Sequence, residues 1–115
     1  MLDEDKLVDT LTRIGELLVR GDYAGVSDLT GGRRLAADEM RAAVADYGRT
    51  LVSPPAGRFA PRSVVEIKDS TPQQWSVYVD LWTVEEGRSD LTLEVTVTDT
   101  PRPLYDVTVD NLHVL

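Results

Sequence analysis

The sequence of 115 residues predicts an α+β domain, two to three helices at the N-terminus followed by a four-stranded antiparallel meander sheet. Three observations predict it. Apolar residues recur at helical spacing through the first half and at two-residue spacing through the second. Between the halves lies a segment rich in proline that neither a helix nor an inner strand tolerates. Glycines stand where each helical pattern stops.

Leu7, Leu11, Ile14 and Leu18, with Val8 beside them, recur at i, i+4, i+7 and i+11, the stripe of an amphipathic helix. Asp3 is placed to cap its start and Gly21 to end it. Tyr23, Val26 and Leu29 keep three-residue spacing after Asp22, which predicts a short second helix before Gly31-Gly32. Met40, Val44 and Tyr47 share one face of a third helix that begins near Ala37, carries Asp38 and Glu39 in its first turn and stops at Gly48. Residues 53–62, SPPAGRFAPR, are read as a connector.

Four strands are expected beyond it, at 64–67, 75–84, 91–98 and 105–114, separated by segments of turn-like length and therefore paired antiparallel in sequence order. Alternation assigns Trp75, Val77, Val79 and Leu81 to the core face, with Leu91, Leu93, Val95 and Val97 beside them. Tyr78, Asp80 and Trp82 then fall on the opposite face, across from Thr92, Glu94 and Thr96. In the last strand Leu112 and Val114 have the wrong parity unless a bulge lies near Asp110-Asn111. Gly87-Arg88-Ser89-Asp90 is expected to form the preceding hairpin turn, with Arg88 pairing across it to Glu85 or Glu86. With no internal repeat or low-complexity tract, residues 1–115 are read as one domain, with a helical half (3–48), a connector (49–62) and a sheet half (63–115).

This order of elements resembles the nuclear-transport-factor-2-like (cystatin-like) cone. The resemblance implies that the sheet is curved, that the helices pack into its concave side, and that two sheets pair back to back in a dimer. At a finer level GRSDLTLE (87–94), the Leu81-Trp82 pair and the ending DNLHVL resemble a family of small uncharacterised bacterial domains. Small proteins of that kind are sometimes encoded beside toxin and immunity genes, so the resemblance implies an immunity or accessory role.

Composition narrows the function. With no cysteine, disulfides, thiolate catalysis and iron–sulfur or cysteine–zinc sites are excluded. The first 20 residues match neither a secretory signal nor a membrane span, so a cytoplasmic location is expected. A net charge of −8 argues against nucleic acid and anionic membranes as partners, because both are bound through excess Lys and Arg. Residues 58–115 hold ten acids and five bases, residues 1–57 ten acids and seven bases, so the acidity leans towards the sheet.

No catalytic constellation stands out. His113 is the sole histidine and reads as a strand-end side chain; one histidine cannot make a two-histidine metal site. Gly31-Gly32-Arg33-Arg34 lacks the lysine and hydroxyl of a phosphate loop. Asp80, Glu85, Glu86, Asp90 and Glu94 lack the alternating ligands and central glycine of a calcium loop. No metal, cofactor or catalytic residue is expected.

The expected working surface is the sheet face without helices together with its hairpin: Tyr78, Asp80, Trp82, Glu85, Glu86, Arg88, Asp90 and Glu94. An aromatic pair beside acids suits a protein interface, and the acids select a partner with a basic surface or support self-association. The sequence is therefore read as a non-catalytic, acidic protein-binding domain. The alternative is a small-molecule binder or enzyme with a pocket between the helices and the sheet, lined by Tyr23, Tyr47 or Tyr105. The competing explanation for Trp82 is that it folds over the hairpin or is covered by residues 53–62.

Overall fold

In the computed structural model, which describes residues 1–115, the helical spacing of the first half becomes three helices: α1 (Glu4–Val19), α2 (Tyr23–Thr30) and α3 (Ala37–Tyr47). The side chain of Asp3 accepts from the Lys6 N–H at 3.1 Å and so caps α1. Asp22 does the same for α2 through the Gly25 N–H at 2.8 Å, and the chain leaves α2 and α3 through the left-handed Gly31 and Gly48. Leu7, Leu11, Ile14 and Leu18 are buried as their stripe predicts, each contributing roughly 1.5–3 kcal/mol. In α2 the structure corrects the reading: Val26 and Thr30 face the core, whereas Leu29 points to solvent.

Five strands follow rather than four: β1 (Leu51–Val52), β2 (Ser63–Ile67), β3 (Gln74–Thr83), β4 (Gly87–Thr98) and β5 (Asp106–Val114). The unexpected one, β1, lies inside the stretch read as connector, and its two residues pair with Thr83 and Trp82 of β3. β2 through β5 form the expected antiparallel meander. β1 and β2 share one edge of β3, β1 at its end and β2 at its beginning. The sheet lies open and uncurled where a curved one was expected. A two-layer stack needs no more curvature than the strands' own twist.

The helices cover one face. Their stripes join Trp75, Val77, Val79 and Leu81 of β3 and Leu91, Leu93, Val95 and Val97 of β4 in a core of 21 buried apolar side chains. Tyr105 ties the layers together: its hydroxyl accepts from the Asp3 N–H at 2.9 Å, its own N–H donates to Thr10 Oγ1 at 3.0 Å, and its ring packs against Trp75.

The connector is anchored from within. Phe59, 1% exposed, lies on α1 where Gly15 leaves room for its ring, and the Phe59 N–H donates to Thr12 Oγ1 at 3.0 Å. A β-carbon at Gly15 would stand 2.5 Å from two ring atoms of Phe59. In an unobstructed helix Gly→Ala gains up to about 1 kcal/mol. Here the clash reverses the sign, and Gly15→Ala is expected to lower stability by about 1–3 kcal/mol in chemical denaturation, with part of the loss recovered by adding Phe59→Leu.

Candidate functional site

Beyond Val52 the chain leaves the edge of β3, and it rejoins that edge where the Arg62 N–H donates to the Tyr78 carbonyl at 2.7 Å. Residues 53–61 make no backbone hydrogen bond to β3; Pro54, Pro55 and Pro61 carry no N–H to offer. The chain instead arches towards α1, held by Phe59 and by the Arg58–Asp9 ion pair. Between arch and sheet lies a cleft of about 570 Å³, with a wall of prolines and a floor of Asp80 and Trp82. Arg58, Arg62 and Arg88 border it. A second cleft of about 280 Å³ shares Arg62, Asp80 and Arg88 and continues along the open face towards Asp90 and Thr92. Trp82 is half-buried beside the connector, which covers it in part, and it also lines the open cleft.

The register of β3 with β4 decides which charge meets the indole. Asp80 pairs with Thr92, so an unbroken ladder would place Asp90 opposite Trp82. The ladder breaks instead: Ser89, Asp90 and Leu91 together oppose Leu81, and Arg88 becomes the cross-strand partner of Trp82. The bulge closes through the buried Ser89, whose hydroxyl donates to the Leu81 carbonyl at 2.8 Å and accepts from the Leu91 N–H at 3.2 Å. This corrects the expected hairpin. The turn is Val84-Glu85-Glu86, completed by Gly87 at φ +75°, and residues 87–90 belong to β4.

The eight residues expected to form one surface divide into two groups and two single positions. Tyr78, Asp80, Trp82 and Arg88 come together on the open face. Asp80 is held by Arg62 Nε at 3.1 Å, and the same guanidinium lies over the Tyr78 ring, 5.7 Å from its centroid. Glu85 and Glu86 turn the other way, so the expected pairing with Arg88 does not form. Glu85 accepts from the Thr50 N–H at 2.8 Å and from the Thr50 hydroxyl at 3.0 Å. Glu86 accepts from the hydroxyls of Tyr47 at 2.7 Å and Thr83 at 3.1 Å. Partial burial, then the Glu86 carboxylate, raise the Tyr47 phenol above its ordinary pKa. Glu94 lies 3.2 Å from His113 Nε2, out of line for a hydrogen bond. Asp90 is exposed at the rim of the smaller cleft. No three of these acids converge as metal ligands.

Sequence reasoning missed Arg58 and Arg62, although both stand in the proline-rich segment it singled out. It foresaw the bulge in β5. There Asp110 is the extra residue between the pairs Glu94–Asn111 and Val95–Val109; it accepts from Thr96 Oγ1 at 2.6 Å and forms an ion pair with Arg34, whose Nε lies 2.8 Å away. Gly31 to Arg34 accordingly form a turn that carries Arg34 and Leu35 to the edge of β5. Thr92, assigned to the open face, is nevertheless 2% exposed at the floor of the smaller cleft.

A family model described as a domain of unknown function, DUF7668, matches residues 15–115, and the chain belongs to that family. No curated protein and no solved structure matches it. No helix is long and apolar enough to cross a membrane.

Two outcomes follow from this geometry. Ser89→Ala is expected to cost about 1–3 kcal/mol in denaturant melts, because the Leu81 carbonyl and Leu91 N–H lose a buried partner. The Thr50 N–H, foremost among the donors to Glu85, holds that carboxyl below the ordinary value of 4.5. A carboxyl depressed on folding adds stability above 4.5 and loses it as pH falls through the lower folded value. Carboxyl titration by NMR should therefore show Glu85 ionised below 4.5, and Glu85→Gln should destabilise at neutral pH but not below the folded value.

Proposed function

We propose that this member of the DUF7668 family is a non-catalytic binding domain that docks another protein on the open face of its sheet. One observation carries the reading: Tyr78 and Trp82 stand half-buried on the face without helices, Trp82 beside a cleft of about 570 Å³. Interface anchors are aromatic and arginine side chains seated in or beside a concavity, and here both kinds are held in place before any partner arrives. The fixing contacts are those of Arg62 to Asp80 and to the Tyr78 ring, and the strand register sets Arg88 across from Trp82.

The rival reading, a ligand pocket between helices and sheet, has less to work with. Apolar side chains fill that space. Of its three tyrosines, Tyr105 is bound to Asp3, Tyr47 to Glu86, and Tyr23 lies under Arg41. A shallow cleft of about 340 Å³ between α3 and the ends of β4 and β5 is lined by Asp46, Tyr47 and His113 among apolar residues.

The setting implied by the resemblance of residues 87–94 and 110–115 is an immunity or accessory protein of a bacterial toxin system. A second copy of the chain, paired sheet to sheet, is the alternative partner. Affinity capture from the native source with wild type and a Trp82→Ala, Glu94→Lys double variant tests the docking reading. Loss of a captured protein, or of a dimer mass in solution, is expected from the double variant, with its circular dichroism unchanged. Identical captured proteins and identical masses for the two chains would overturn it.

A further inference from the structure

The acids that made the sheet half look like a receptor for a basic partner are largely occupied within the chain. Arg62 holds Asp80, Arg34 holds Asp110, Thr50 holds Glu85, Tyr47 and Thr83 hold Glu86, and His113 neighbours Glu94. At the cleft the balance is reversed. Asp80 is the only side-chain acceptor among the eleven residues that line the larger cleft, and its Oδ1 already faces Arg62 Nε.

The donors there are in surplus. A guanidinium carries five N–H donors and no acceptor, and an indole carries one donor and no acceptor. Arg62 stands in an ion pair with Asp80, Nε to Oδ1 3.1 Å, and its two terminal nitrogens make no hydrogen bond within the chain. Arg88 forms no ion pair or side-chain hydrogen bond, and neither does the Trp82 indole N–H. A partner that fills this cleft must therefore bring acceptors, and carboxylates match the planar fork of arginine best. The prolines opposite and the indole face add an apolar surface for the stems of the acidic side chains.

We propose that the cleft between the 53–62 arch and the open sheet face binds an acidic segment of a partner protein, whose carboxylates are taken by Arg88 and Arg62 across the Trp82 ring. This rests on the reading of the open face as a docking surface and specifies the chemistry of what docks. The shared residues Arg62, Asp80 and Arg88 let such a segment run on into the smaller cleft, where the exposed Asp90 sets a limit to how far acids are welcome.

The test uses the full chain and two capped octapeptides free of aromatic residues, one rich in Asp and Glu, the other with Lys at those positions, followed by calorimetry and tryptophan emission. The acidic peptide is expected to bind and shift the emission. Binding should weaken as salt is raised, fall about tenfold or more in Arg88→Ala, and survive in Arg102→Ala, whose guanidinium is paired with Asp106. Trp82→Phe should keep binding but lose most of the emission change, which separates contact at the cleft from a general charge effect. Preference for the lysine peptide, no binding of either, or equal competition by inorganic phosphate would overturn the proposal. The two readings fail separately. A basic protein captured through Trp82 removes the acidic segment and leaves the docking face, whereas acidic-peptide binding with unchanged capture by the Trp82 variant does the opposite.

Discussion

The seating of Phe59 on Gly15 is the contact on which the rest of the molecule's surface depends. Without it, residues 53–61 would have little reason to leave β3, because an extended chain beside an open strand edge gains hydrogen bonds at every second residue. Three prolines make that alternative poor, and the buried ring with the Thr12 and Asp9 contacts makes the detour favourable. The result is a strand edge covered at both ends and open in the middle, with a cleft where one continuous ladder along β3 would otherwise run. Fold and candidate site therefore share one cause: the glycine that lets a helix accept an aromatic ring also creates the opening on the opposite layer.

Alternation in the sheet half was legible because it is a local property. Each of Trp75, Val77, Val79 and Leu81 carries its own evidence of facing inward, and the same holds for Leu91 to Val97. The bulge at Asp110 was legible for a related reason, since Leu112 must be buried and only an extra residue restores its parity. Helix caps at Asp3 and Asp22 and stops at Gly31 and Gly48 are likewise written in neighbouring residues.

What the sequence hid is decided at a distance. Leu51-Val52 is too short to show a period, and it becomes a strand because the end of β3 offers it a partner. Phe59 is one aromatic residue among prolines, and nothing nearby announces that Gly15, more than forty positions earlier, is its seat. The acids of the hairpin suggest a pairing with nearby Arg88 because their actual partners, Thr50 and Tyr47, belong to the distant segment where α3 meets β1. A count of charges along a strand cannot distinguish a carboxylate offered to a partner from one already satisfied.

The bulge at Ser89 shows how much one local irregularity changes the chemistry of a face. In a regular ladder the indole of Trp82 would stand opposite Asp90, and the open face would present an aromatic ring bordered by acids, the surface that composition suggests. Inserting two residues opposite Leu81 costs ladder hydrogen bonds, which the Ser89 hydroxyl partly restores. In exchange the ring stands opposite Arg88, which adds a donor to the cleft where a regular ladder would have added an acid. Bulges concentrate where a side chain must be re-aimed, and this one exchanges an acid for a base at the residue most able to anchor a partner. A chain of net charge −8 thereby keeps a small site of opposite character on a surface whose other acids are mostly tied up, which is the arrangement that discriminates between partners by chemistry rather than by overall charge.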